Sequence, residues 1–324
     1  MARRALVTGA TGQDGVYLAH RLLACGYQVA GASRRPTPER LARLGPIHRR
    51  LYWLHYDGSS VASWAELLKK AEPHEIYHLA GPSFVPDSLD DPVSAAEQLA
   101  MPVVHLLEAV RRYCPQARVW IAGSSEVFGA VEQSPQSEST PFRPRNPYGV
   151  SKVFAHGMVS FYRRHYGLFA CFGILYNHES PRRGERFVTR KISLGAARIR
   201  AGLQDRLVLG NLDARRDWGF AGDYVRAMHQ MLLAAEPLDL VIATGKQHSV
   251  RDFCKIAFDY VGLDYRHYVV SDPALVRPDD SALLCGDASL AKIRLGWEPR
   301  ISFDELVRLM VRCDLDRLQR SCGC

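Results

Sequence analysis

The sequence predicts an α/β fold, a doubly wound parallel sheet with a smaller α/β lobe toward the C-terminus. Three observations carry that expectation. Short apolar runs alternate with amphipathic helical stretches through the first 176 residues, which is the pattern of βαβ units. A glycine-rich turn, Gly9-Ala10-Thr11-Gly12-Gln13-Asp14-Gly15, stands between the first run and the first helix. The 324 residues, 47% hydrophobic and 23% charged, suffice for one large core and a lobe beside it.

In chain order, Ala5–Thr8, Gln28–Ser33, Leu51–His55, Glu75–Leu79, Arg118–Ala122 and Phe169–Leu175 read as strands. Between them Val16–Ala24, Ser63–Ala71, Ala95–Arg112 and Gly149–His165 carry apolar residues at spacings of three and four, so they read as helices. Past residue 176 the order is irregular, with helices expected near Lys191–Ala201, Val250–Val261 and Phe303–Leu318. The expected division is 1–176 for dinucleotide binding and 177–324 for substrate, with segments near 211–250 returning to the first domain.

Composition narrows the function classes. The first apolar strand is too short for a signal-peptide core. The longest apolar stretch, Leu168–Tyr176, is about half of a membrane span, so a cytoplasmic location is expected. Eight cysteines lack the paired spacing of a zinc site and read as core residues; no metal is expected. The net charge of +8 is spread along the chain rather than gathered in a stripe, which argues against nucleic acid and suits small polyanionic ligands.

Glycines at 9, 12 and 15 let backbone N–H groups approach a pyrophosphate at a helix N-terminus, where the dipole favours negative charge. A tight turn with no ligand is the bland alternative. This makes the sheet Rossmann-type and the cofactor a nicotinamide dinucleotide. At the end of the second strand an acid would hold a free ribose hydroxyl, whereas arginine accepts a 2′-phosphate; the residues there are Arg34 and Arg35, so NADP is expected over NAD. Asp57, after the third strand, faces the adenine edge or is a surface turn residue.

Pro147-Tyr148-Gly149-Val150-Ser151-Lys152 opens a helix and places Tyr148 and Lys152 one turn apart on one face. A phenol is a poor base at neutral pH, and a neighbouring ammonium together with the cofactor's positive ring would lower its pKa. Gly123-Ser124-Ser125-Glu126 leaves the C-terminal edge of the fifth strand, where open α/β sheets bind ligands. Ser124 can position a substrate oxygen. Glu126 adds an acid/base group that simple alcohol oxidation does not need; a turn cap or an arginine partner is its structural alternative.

Together these features resemble the extended short-chain dehydrogenase/reductases, and the second half narrows the resemblance to the GDP-mannose 4,6-dehydratase family, over about residues 4 to 318 of the chain. The segments that carry the resemblance run from Asn177 to Glu185, Phe187 to Lys191, Gly210 to Trp218 and Ala243 to Val250. The resemblance implies that Ser124, Glu126 and Tyr148 are catalytic and that Lys152 supports the tyrosine. It implies that Gly9, Thr11, Gly12, Gln13, Asp14, Gly15, Arg34, Arg35, Asp57, Leu79, Ala80, Ser83, His178 and Arg183 surround the cofactor with Tyr148 and Lys152. Ser83, Ser125, Asn177, Val188, Lys191, Gly210, Arg216, Arg277 and Asp280 would surround a GDP-sugar.

The implied reaction oxidises sugar C4, eliminates water across C5–C6 and returns the hydride to C6, leaving a GDP-4-keto-6-deoxy sugar with zero net redox change. Several positions depart from the family: Ser124 stands for threonine, Pro82 for glutamine, Val93 for tyrosine, Phe220 for histidine and Asp280 for glutamate. The loop after Arg35 is shorter than the one that reaches a neighbouring subunit, so a homodimer and a homotetramer are both open. The departures suggest GDP-manno-heptose beside GDP-mannose as substrate. An NADPH-dependent GDP-4-keto-6-deoxy-sugar reductase is the rival enzyme reading, and a catalytically dead nucleotide-binding protein is the rival from another class.

Overall fold

A computed structural model of the chain describes residues 2–34, 37–42, 44–276 and 284–322. Its centre is a seven-stranded, fully parallel sheet in the order β3-β2-β1-β4-β5-β6-β10. The strands are β1 Arg4–Thr8, β2 Gln28–Ser33, β3 Tyr52–His55, β4 Glu75–His78, β5 Arg118–Ala122, β6 Ala170–Leu175 and β10 Asp239–Ile242. All six expected strands are present within a residue or so at their ends. The seventh, β10, was not legible, because Asp239-Leu-Val-Ile is a four-residue run with no alternation. Chain order reverses between β1 and β4, and the crevice at that switch point is where open α/β sheets take ligands.

Apolar clusters cover both faces of the sheet. One face packs α3 Val61–Ala71, α6 Met101–Tyr113 and α7 Pro147–Tyr166 against Leu6, Ile76, Val119 and Phe172. The other packs α1 Gln13–Ala24 and α9 Ala221–Leu233 against Val7, Tyr77 and Trp120. Strand residues are therefore apolar without alternation, as a sheet buried on both sides requires. The helix expected over Ala95–Arg112 is two helices, α5 Pro92–Leu99 and α6, meeting at Ala100. Pro102 explains the break: it lacks an N–H and its ring clashes with the carbonyl four residues back.

A third cluster lies outside the sheet. It joins α8 Val188–Arg200, α10 Val250–Tyr260 and α12 Phe303–Cys322 through Ile192, Phe253, Phe258, Leu306 and Met310. Beside it β7 Asn177–Glu179, β9 Arg215–Phe220 and β11 Gln247–Ser249 form a small sheet, and β8 Leu207–Leu209 pairs with β12 Val269–Ser271. Two short helices, α2 Pro38–Ala42 and α4 Asp87–Asp90, sit in loops, and α11 Ser289–Leu295 precedes α12. Among the described residues no helix is long and apolar enough to cross a membrane, and no group of His, Cys, Asp and Glu is placed to hold a metal ion.

Candidate active site

The glycine turn is built so tightly that side chains are excluded. Gly9 has φ +68°, and a Cβ on Gly15 would stand 2.3 Å from the Gly9 carbonyl oxygen. Gly12 caps α1 without a side-chain bond, leaving the first N–H groups of that helix facing the cleft. Gly9, Gly12, Gln13, Asp14 and Gly15 all line this cleft, a cavity of about 700 Å³; Thr11 is buried beneath the turn and does not.

Gln13 and Asp14 reach across to β7 and the loop after it. Gln13 Nε2 donates to the His178 carbonyl at 2.9 Å, and Ser180 donates to Gln13 Oε1 at 2.8 Å. His178 Nε2 lies 2.9 Å from Asp14 Oδ2, and its ring stacks on Tyr224. Burial works against a charged imidazole, but the Asp14 carboxylate outweighs it and the His178 pKa is raised. The Asp14 carboxyl is correspondingly lowered, against its own burial.

Beyond the turn a second hollow of about 400 Å³ holds Arg34, Asp57, Ala80, Gln98 and His105. Arg34 donates to Gln98 Oε1 at 3.3 Å. The Asp57 carboxylate accepts from Ser59 N at 2.8 Å, so it is anchored by its own turn while lining the hollow. Arg35, with Arg277 and Asp280, lies outside the described residues. The Leu79 and Ala80 N–H groups both donate to Thr8 Oγ1 at 3.2 Å, which ties their loop to the end of β1.

Ser124, Ser125, Glu126, Tyr148 and Lys152 line the large cleft with Ser83, Asn177, Arg183, Val188, Lys191, Gly210 and Arg216. Lys152 Nζ donates to the Ala122 carbonyl at 2.7 Å and lies 5.6 Å from the Tyr148 ring centre. Burial pulls the Lys152 ammonium down to about 8. Burial also pushes the Tyr148 phenol up to about 12, opposed by a hydrogen bond with Ser124 and reinforced by the Glu126 charge. In the chain alone desolvation exceeds the lowering by the Ser124 hydrogen bond and the Arg183 charge; the expected lowering of the phenol calls on a cofactor's positive ring as well as on Lys152.

Sequence reasoning missed several groups in this cleft. Asn146 is 4% exposed and its Nδ2 donates to Glu126 Oε2 at 2.8 Å. Its place before Pro147 is a readable N-cap signal, though nothing in the sequence links it to Glu126. Phe84 and Phe187 meet edge to face at 5.3 Å, the Arg183 guanidinium lies 3.5 Å above the Phe187 ring, and Arg186 pairs with Asp87. The Phe84–Phe187 and Asp87–Arg186 contacts join loops about a hundred residues apart, which no local pattern encodes.

Residues 6–310 match the family model described as GDP-mannose 4,6 dehydratase. The chain belongs to the GDP-mannose 4,6-dehydratase family. GDP-mannose 4,6 dehydratase 1 of Arabidopsis thaliana is 47% identical, the match covering 98% of this chain and 91% of that protein. The Homo sapiens GDP-mannose 4,6 dehydratase is 41% identical, over 97% and 92% of the two chains. Among solved structures, a dTDP-glucose 4,6-dehydratase from Streptomyces venezuelae with NAD and TYD bound superposes with a TM-score of 0.84 at 25% identity, covering 98% of each chain. As a member of the dehydratase family the chain is an enzyme of the hydro-lyase type, and the reductase reading is not favoured.

Proposed function

We propose that the chain converts a GDP-sugar to its 4-keto-6-deoxy form with NADP as resident cofactor, Tyr148, Glu126, Ser124 and Lys152 carrying the chemistry. The supporting observation is that Glu126 and Tyr148 open into one cleft with the Gly9–Gly15 turn. That turn fits a dinucleotide: a Cβ at Gly15 would fill the space against Gly9, and the start of α1 offers N–H groups to phosphates. Arg34 supports the 2′-phosphate form. When bound, the cofactor accepts a hydride from sugar C4 and returns it at C6.

Tyr148 receives the O4 proton as C4 is oxidised, and a positive charge beside it lowers the phenol pKa toward working pH. The new ketone acidifies C5–H, and Glu126 takes that proton. Ser124 hydrogen-bonds the C6 oxygen, and Glu126 returns a proton to it as water leaves; as C6 is then reduced, a proton is restored to C5 and Tyr148 gives up the one it took from O4, which returns the site to its starting state. Lys152, pinned to the Ala122 carbonyl, keeps its charge near the phenol. Around the sugar nucleotide, Asn177, Val188, Lys191, Gly210 and Arg216 supply the GDP side of the lobe, with the start of α8 and Lys191 facing the diphosphate.

Incubation with GDP-mannose and NADP tests this: a 4-keto product should form without net NADPH. Glu126→Gln should abolish product while slow C4 oxidation persists, and near-normal turnover would refute the role of Glu126. Parallel turnover of GDP-manno-heptose decides between the two sugars. Arg34→Ala should weaken NADP binding about tenfold more than NAD binding, in line with loss of one charged hydrogen bond; equal losses would remove the 2′-phosphate assignment. Exposed Leu89, Val93, Val150, Phe154 and Phe161 support a homo-oligomer, dimer or tetramer, which sedimentation distinguishes.

A further inference from the structure

We infer that Asn146 is the positioning residue that aims the Glu126 carboxylate and registers it against Tyr148. This rests on the proposed role of Glu126. Both ends of the Asn146 amide are committed. Nδ2 donates to Glu126 Oε2 at 2.8 Å, and Oδ1 accepts from Gly149 N at 2.8 Å as the N-cap of α7. Only this orientation of the amide satisfies both partners, since the carboxylate accepts and the helix N–H donates.

The backbone repeats the same union. A Cβ on Gly149 would lie 2.6 Å from the Glu126 carbonyl oxygen, so the first turn of α7 sits directly on the Glu126 turn. Arg143 N donates to the Val127 carbonyl at 3.0 Å, closing the segment before α7 over the same turn. Tyr148 and Lys152 ride on that helix, while Ser124 caps the turn that carries Glu126 by accepting from Glu126 N at 3.2 Å. One buried side chain thus fixes the spacing between the group that serves C4 and the group that serves C5.

The residue type follows from the chemistry. With Oε2 engaged as an acceptor, the carboxylate cannot spin, and Oε1 is left for the sugar. Aspartate would cap α7 as well as asparagine, since a negative charge suits a helix N-terminus. It would also set two carboxylates at hydrogen-bond distance, where they cannot both stay ionised, and so remove the base. Serine caps the helix but is too short to span to Glu126.

Asn146→Asp and Asn146→Ser are therefore the informative variants, because both keep the cap. Each should melt close to the parent chain and keep KM for GDP-mannose within about twofold, so the loss appears in kcat. For Asn146→Ser, kcat should fall about tenfold, the size of one hydrogen bond to a charged group. For Asn146→Asp it should fall by about a hundredfold or more, as expected when a general base is disabled. During turnover both should accumulate reduced cofactor and, in heavy water, exchange the C5 hydrogen more slowly than the parent. Parent-like kcat and C5 exchange in both variants would overturn the inference. Glu126→Gln runs alongside: if that variant also turns over normally, the reading of Glu126 fails instead, whatever Asn146 does.

Discussion

Lys152 shows how a single buried charge ties the site to stability. Its side chain is nearly enclosed and its pKa is drawn from an ordinary value near 10.5 down to about 8 by burial. Below pH 8 the lysine is charged in both folded and unfolded chains, and burying that charge weakens the fold. Between about 8 and 10 the folded chain releases the proton while the unfolded chain holds it, so stability rises with pH. The gain is at most about 3 kcal/mol, at 1.36 kcal/mol per pH unit. Above 10 the Tyr148 phenol, pushed up to about 12, acts in the opposite sense. Urea unfolding of the cofactor-free protein at pH 7.5 and 9.5 should show this rise, and Lys152→Met should flatten it. An equal rise in the variant would assign it to other groups. At this scale the sequence was informative: Tyr148, Lys152, Ser124 and Glu126 were all readable from two short motifs. Asn146 was not, because its partner lies 20 residues away in a different element.

Among elements, α8 and α12 are held by a buried charge pair rather than by apolar contact alone. Arg190 pairs with Asp314, which is 0% exposed, and Ser193 Oγ donates to the same carboxylate at 2.8 Å. Burial raises the Asp314 pKa and lowers that of Arg190, so for both partners desolvation exceeds the mutual attraction. Arg317, one turn further along α12, donates to Asp314 Oδ1 at 3.1 Å and to the Pro181 carbonyl at 2.7 Å. The pair therefore anchors the segment that leads to Arg183 and Arg186. Removing one partner strands the other: Asp314→Ala should cost about 3–5 kcal/mol in urea unfolding, and Arg190→Met with Asp314→Leu should recover most of it. A single-variant loss under about 1 kcal/mol would contradict the argument. None of this was legible in the sequence, where Arg190 and Asp314 are 124 residues apart. Helix existence was legible from periodicity, whereas the break at Ala100 and the edge strand β10 depended on Pro102 and on pairing with β6.

In the whole molecule, the parallel sheet was readable because burial on both faces leaves nearly continuous apolar runs that local chemistry punctuates with glycine and capping residues. The C-terminal lobe was harder. Its strands are three to six residues long, and its core draws on α8, α10 and α12 from across 130 residues. Family resemblance supplied what pattern could not there, naming Asn177, Val188, Lys191, Gly210 and Arg216 before the fold gathered them into one cleft.

The crossing made by Gln13 and Asp14 has a consequence for how the two ligands answer to each other. Their side chains are spent on Ser180 and His178, so the turn proposed to meet the cofactor phosphates also steadies the strand that carries Asn177, proposed to meet the GDP-sugar. With the cofactor seated as proposed, damage at either residue would be felt twice, as weaker grip on the dinucleotide and as a misplaced Asn177 and Arg183. Two addresses in the cleft share one foundation, and they stand or slip together.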